Sequence, residues 1–141
     1  MDQQPITTQE FKKRLAQLCL SGSSNELPRK QRDRQIILKS VVLHLAKDRK
    51  YTEREINAAL MSWVGEVAHS LEVDHAALRR TLVDEKYLER SSDGTSYRVA
   101  PAGGAGSFAP DVDEINPTVV IQEAILEAAA KREQYRNRPK A

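Results

Sequence analysis

The sequence predicts a mainly α fold with a small β-hairpin, arranged as a winged helix-turn-helix core with an extra helix on each side. Three observations carry this expectation. Three segments with helical apolar spacing follow one another between Pro28 and Glu85. Two alternating segments around an Asp-Gly turn follow at once, between Tyr87 and Val99. A further amphipathic helix, each with its own start signal, flanks this core at either end. A length of 141 residues suits one domain with extensions, and 40% hydrophobic against 30% charged residues allows a core beneath a solvated surface. Aromatic residues are only 5%, so that core is expected to be aliphatic.

Thr7-Thr8-Gln9-Glu10 has capping-box spacing, in which a hydroxyl and a carboxylate three residues later each satisfy a backbone donor. Phe11, Leu15, Leu18 and Cys19 recur at helical intervals, so a first helix is expected over Thr8–Leu20. Ser21-Gly22-Ser23-Ser24-Asn25 ends it. Pro28 fits the first turn of a second helix, where its missing N–H costs nothing, and Ile36, Ile37, Val41, His44 and Leu45 form the apolar face of a helix ending near Asp48.

Thr52-Glu53-Arg54-Glu55 is a second capping box. It opens a third helix with Ile56, Ala59, Leu60 and Trp63 inward, ended by Gly65. A loop or short turn is expected over Gly65–Val73. Asp74 caps a fourth helix, His75–Glu85, with Leu78 and Leu82 inward. Ser91-Ser92-Asp93-Gly94 joins the two hairpin strands, and glycine supplies the positive φ that a tight turn needs. Pro101-Ala102-Gly103-Gly104-Ala105-Gly106-Ser107 carries too little apolar side chain to offset ordering, and predicts a flexible linker over 100–116. Asn116 and Pro117 start the last helix, which runs to about Tyr135 with Val120, Ile121, Ile125, Ala128 and Ala129 as its stripe. The expected organisation is therefore an N-terminal helical extension over 1–26, a core over 27–99, the linker, and a C-terminal helix with a basic tail over 117–141.

Twenty-two basic and 20 acidic residues give a net charge of +2, but the charges are unevenly placed. Leu27–Lys50 holds eight basic residues against Asp33 and Asp48, whereas Pro101–Glu127 holds five acids and no base. A concentrated basic segment attracts phosphate polyanions, and it equally forms a solvated helix face neutralised by the acidic segment.

The motifs Leu27-Pro28-Arg29-Lys30, Tyr51-Thr52-Glu53-Arg54-Glu55-Ile56-Asn57, Asp74 to Asp84 with Leu78-Arg79-Arg80, and Leu88-Glu89-Arg90 occur in that order. In them the stretch 27–99 resembles the bacterial domain-of-unknown-function family DUF2087. The resemblance implies a winged-helix-like module found beside transcriptional regulators, and no established ligand.

The functional expectation is a non-enzymatic DNA-binding protein acting in transcription regulation, with duplex DNA as partner. In a winged helix the last helix enters the major groove and the hairpin tip touches the backbone. Arg29, Lys30, Arg32 and Arg34, with Arg90 and Arg98, are the candidates for phosphate contacts. His75, Arg79 and Arg80 are the candidates for the groove, and the two arginines are equally placed to pair with Asp84 or Glu85. Asp74–Glu85 holds two basic and three acidic residues, which is weak for a groove-reading helix. That weakness favours the alternative, a protein-interaction module assembling through its terminal helices without nucleic acid. Two expectations stand for those helices: packing onto the core of the same chain, or pairing two chains in a homodimer.

No cofactor, metal or small-molecule ligand is expected. His44 reads as a satisfied boundary histidine, and Glu66, His69 and His75 lack metal-ligand spacing. Cys19 reads as a buried thiol, and Gly103-Gly104-Ala105-Gly106 lacks the Lys and Ser/Thr of a phosphate cradle. Met1–Thr8 lacks the pattern of a secretory signal, no membrane span is present, and the expected address is the cytoplasm.

Overall fold

The protein is described from a computed structural model, which covers residues 4–21, 26–69, 71–101, 104 and 106–137. The loop expected over 22–25 and the basic end at Arg138 and Lys140 lie outside the described residues. The elements in order are α1 (Thr8–Leu20), α2 (Gln31–His44), β1 (Tyr51–Thr52), α3 (Glu53–Glu66), α4 (His75–Asp84), β2 (Leu88–Arg90), β3 (Ser96–Val99), a 3-10 turn (Pro110–Glu114) and α5 (Pro117–Arg136).

The structure is mainly helical with a small antiparallel sheet, as expected, and its element order matches that of the expected core. The sheet has one strand more than the hairpin. β1 pairs with β3, giving the strand order β1-β3-β2, with Tyr51 opposite Tyr97 and Glu89 opposite Arg98. A two-residue strand has no alternation to read, so β1 leaves little signal in the sequence.

α2 is the hub. Ile36, Ile37, Leu38, Val41 and Val42 are all buried, and so are Gln35, Lys39 and Ser40 of the same stretch, so the middle of the helix is enclosed by its neighbours on every side. α1 lays Phe11, Leu15 and Cys19 against α2 and α5, each fully buried. Burying a side chain of that size contributes about 1.5–3 kcal/mol. Trp63 is fully buried on α3 and donates its indole N–H to Ser40 Oγ at 3.1 Å, so the polar atom of the largest core residue is satisfied.

Helix starts follow the expected chemistry. Thr52 and Glu55 form a reciprocal capping box, Asp74 accepts from the amide of Ala77, and Asn116 accepts from Thr118 and Val119. At α1 only half the box forms, because Thr7 accepts from Glu10 N while the Glu10 carboxylate turns to Arg32. α2 is shorter than expected at both ends. It begins at Gln31, after an uncapped Lys30, and stops at His44, because the chain turns back toward β1, where the Tyr51 hydroxyl accepts from Ala46 N at 2.9 Å. α3 runs through Gly65 to Glu66 and does not end there. Val67 and Ala68 are buried and both donate to Trp63 O, which holds the last turn.

Two flanking segments depart from the reading by composition. In 100–116, expected to be a flexible linker, Phe108 packs on the core, Val112 and Ile115 are buried, and Phe108 bridges Ile6. The glycine-rich stretch contributes as well. Gly104 lies at φ 91° with Tyr87 so close that a Cβ would meet its ring carbons at 2.4 Å. Apolar residues after the glycines supply the burial that the glycines lack. In α5, by contrast, Val120 and Ile121 are buried, but Ile125 is 40% exposed, and Ala128 and Ala129 are exposed. The outer part of α5 extends past the surface it packs on, so the expected stripe is only half used.

Candidate nucleic-acid interface

α4 and the hairpin lie side by side because the chain between them is tightly held. The C-terminus of α4 is closed by Lys86 at φ 70°, with Tyr87 N donating to Leu82 O at 2.8 Å, a Schellman-type ending. Tyr87 is fully buried and Leu88 starts β2 immediately. Leu78 and Leu82 point inward, which leaves Ala76, Ala77, Arg80 and Asp84 on the exposed face of α4.

The hairpin turn is built from its own side chains. Gly94, at φ 75°, donates to Ser91 O at 2.9 Å. The Asp93 carboxylate accepts from Ser91 Oγ at 2.6 Å and from Thr95 Oγ1 at 2.8 Å, and these hydroxyls, Ser91 first, hold its pKa down to about 2. The tip is therefore ordered and carries a permanent negative charge.

Behind the tip lies the most informative arrangement of the molecule. The Tyr97 ring, buried in β3, has the Arg79 guanidinium 5.6 Å from its centroid and the Arg90 guanidinium at 5.9 Å. One ring thus carries a cation from α4 and one from β2. Arg79 is also tied to α3. Its Nη1 donates to Asn57 Oδ1 at 2.5 Å, and Nη2 lies 3.4 Å from Glu53 Oε1. Arg79, expected to face a groove, is therefore committed to α3 within the fold. Arg80 is exposed, with no ion pair among the described residues. Arg90 has the ring contact, packs its guanidinium over Gly94, and makes no ion pair among the described residues. Next to Tyr97 is a depression of about 330 Å³ lined by Lys50, Arg90, Arg98, Ser91 and Glu89. Arg98 pairs across the strands with Glu89 at 2.8 Å, so half its charge is compensated. His75 sits in the first turn of α4, 3.9 Å from the Asp74 carboxylate.

The basic run at the start of α2 is used differently. Arg32 forms a bidentate pair with Glu10 of α1, and its Nη1 also donates to Gln4 O at 3.0 Å. Asp33 takes Arg14 through two bonds of 2.8 and 2.9 Å. Arg34 Nε lies 3.0 Å from Glu85 Oε2, but off the hydrogen-bond direction, so it makes an ion pair that leaves this N–H unsatisfied. The side-chain bond from Arg32 holds Glu10 below the usual carboxylate range, and that from Arg14 does the same for Asp33. Arg32 and Arg34 are thus internal braces and are not available to phosphate. Arg29 and Lys30 are exposed, and Arg29 borders a shallow groove it shares with Asp84 and Glu85, away from the Tyr97 platform. Of the nine expected contacts, the structure groups Arg79 and Arg90 on the Tyr97 ring, pairs Arg98 with Glu89 one strand position on, leaves Arg80 exposed on the outer face of α4, and diverts Arg32 and Arg34. Lys50 joins the platform although it was counted only as part of the basic segment. Its position before β1 becomes meaningful only once β1 pairs with β3.

Elsewhere the polar residues have local explanations. His44 is bonded to Ser62 Oγ at 3.2 Å, and Cys19 is buried, which pushes its thiol up to about 12. Among the described residues no cluster of His, Cys, Asp or Glu is arranged to hold a metal ion, and no helix is long and apolar enough to cross a membrane.

A helix and an ordered ribbon locked edge to edge, with Arg80 and Arg90 beside the seam and the carboxylates of Asp84 and Asp93 exposed near them, define a mainly α domain with a mixed-charge face. The chain belongs to the bacterial family DUF2087, described as "Uncharacterized protein conserved in bacteria", whose model matches residues 25–99. No curated protein and no solved structure matches the chain.

Proposed function

We propose that this protein is a non-enzymatic winged-helix DNA-binding protein acting as a bacterial transcriptional regulator. The observation that carries the reading is the shared Tyr97 ring, which fixes α4 and the hairpin on one face by cations from both. α4 offers the groove a narrow surface of Ala76, Ala77 and Arg80, with His75 at its first turn. Small residues at the N-terminal end of a recognition helix allow close approach to base edges, and alanine suits a thymine methyl. Arg90 and Lys50, with Arg98 in part, supply phosphate contacts on the ribbon side. The buried, high-pKa Cys19 thiol offers no nucleophile, which agrees with a binding role.

The test is fluorescence anisotropy with a labelled random duplex at about 50 and 200 mM salt. Two full phosphate contacts and one partly offset contact lower affinity roughly 20-fold over that range. Arg80→Ala with Arg90→Ala is expected to weaken binding at least about tenfold while the melting temperature stays put. A salt-independent signal, or an unaffected double variant, rejects the reading.

A second reading has its own observation. α5 leaves Leu126 69% and Ile125 40% exposed beyond its packed first turns, whereas α1 buries its stripe within the same chain. A protein-interaction module would therefore assemble through α5 and not through both terminal helices. No duplex binding at low salt, together with a solution mass above 15.9 kDa, selects it.

A further inference from the structure

A cleft of about 360 Å³ opens between the C-terminal half of α2 and the outer side of β3, within the size range of small-molecule sites. Its floor is apolar, formed by Val42, Leu43, Tyr87 and Val99. Its rim is cationic: Lys39, Lys47, Arg49, Lys50 and Arg98 face it, against the carboxylates of Asp48 and Asp113.

These cations are not equivalent. Lys39 is buried, with its side chain 9% exposed, and is committed to Asp113 at 2.6 Å with the Phe108 ring 5.4 Å away. Arg49 is committed to Glu55 at 2.8 Å and lies over the Tyr51 ring. Arg98 shares Glu89. Lys47 and Lys50 have no carboxylate within ion-pair distance among the described residues; the Asp113 pKa is lowered chiefly by the hydrogen bond from Lys39, with a smaller contribution from the charge of Lys47. Two uncommitted ammonium groups thus stand at the mouth of a half-enclosed apolar cleft.

We propose that this cleft binds a small amphipathic organic anion, an aryl or branched alkyl group on the Val42–Tyr87–Val99 floor with its carboxylate or phosphate held by Lys47 and Lys50. Charge alone does not make such a site, because water solvates a lone phosphate or carboxylate at an exposed rim. The apolar floor provides the added free energy, roughly 25 cal/mol per Å² removed from water, and the ammonium groups orient the ligand. The floor also separates this ligand from a nucleic-acid phosphate, which has no apolar body to insert. The site shares Lys50 and Arg98 with the ribbon-side phosphate contacts proposed above, and its apolar floor tells the two apart, since none of the floor residues lies on the exposed face of α4.

The test uses the full chain, 15N-labelled, titrated with 2-naphthoate, 1-naphthyl phosphate, inorganic phosphate and the neutral 2-naphthalenemethanol, and followed by amide shifts and calorimetry. The two aromatic anions are expected to shift the amides of residues 42–50 and 98–101 saturably. Inorganic phosphate and the neutral alcohol are each expected to bind at least about tenfold more weakly. Lys47→Gln with Lys50→Gln is expected to weaken the anions about tenfold without changing the melting temperature, and Val42→Lys, which fills the floor with a charge, to abolish them. A stronger phosphate than carboxylate ligand, or the reverse, identifies the headgroup. Shifts mapping elsewhere, equal binding of the neutral alcohol or of inorganic phosphate, or an unaffected double lysine variant overturns the proposal.

Discussion

The start of α2 and the face around Tyr97 hold the same kind of residue and use it in opposite ways. At α2, Arg32 and Arg34 turn inward to Glu10 and Glu85, and Asp33 draws in Arg14. They bolt α1 and the end of α4 to the hub helix. Around Tyr97, Arg90 and Lys50 touch no carboxylate among the described residues, and Arg80 faces solvent on α4. Charge density along a chain therefore measures opportunity, not use. Whether a guanidinium braces the fold or meets a partner depends on carboxylates brought near by tertiary structure, some more than 50 positions away in sequence.

The sharpest way to break this comparison is at Glu85. Its carboxylate faces Arg34 and also accepts from the amide of buried Gln35 at 2.8 Å, and Gln35 in turn receives the Tyr87 hydroxyl. Glu85→Ala removes the partner of a chain that links α2, α4 and the entry to β2. Leaving a buried amide unsatisfied costs about 2 kcal/mol, which a chemical denaturation midpoint will reveal. If Glu85→Ala denatures like the parent, the α2 arginines are not braces, and the contrast with the Tyr97 face disappears.

A smaller effect with a defined sign comes from Glu10. The Arg32 bond lowers its folded pKa, so its stabilising contribution is complete above its ordinary value of 4.5 and is lost as pH falls through the depressed value. The parent is therefore expected to melt higher than Glu10→Gln near pH 7, with the gap closing as pH drops from about 4.5 toward 3. Because Glu10 and Arg32 are about one-third exposed, solvent screening limits the gap to under about 1 kcal/mol. A gap unchanged at pH 3 contradicts an ionic brace. Thermal melts across that range decide it.

How much of this was legible in the sequence depends on the range of the interactions concerned. Caps and turns were, because Thr52 with Glu55, Asp74, Asn116 and Gly94 act within four residues of themselves. Helical stripes that pack along their length were, as at Phe11, Leu15 and Cys19. What escaped depended on distance. The third strand needed Tyr97 opposite Tyr51, the order of segment 100–116 needed Tyr87 against Gly104 and Ile6 against Phe108, and the exposure of Ile125 and Ala128 needed to know where the body of the protein stops. The site divided along the same line: Arg80 and Arg90 follow from the exposed side of a helix and a ribbon, whereas the diversion of Arg32 and Arg34 rests on Glu10 and Glu85.

Arg98 tests the comparison from its middle, since it is both paired and exposed. Its bond to Glu89 joins opposed residues of β2 and β3, but the two side chains are 53% and 47% exposed. An exposed cross-strand ion pair contributes a few tenths of a kcal/mol, so Arg98→Ala is expected to move the denaturation midpoint by less than about 0.5 kcal/mol. Its effect on duplex binding should also be small, about twofold, because Glu89 already offsets its charge and removing one screened contact changes the salt slope by less than one full phosphate. Glu89→Ala then gives the opposite sign. It releases Arg98 to the polyanion and strengthens duplex binding about twofold at low salt, at no larger cost in stability. If instead Arg98→Ala weakens binding as much as the Arg80 and Arg90 changes do, a carboxylate partner does not decide whether a guanidinium is available. The cations at the start of α2 must then be counted again as contacts.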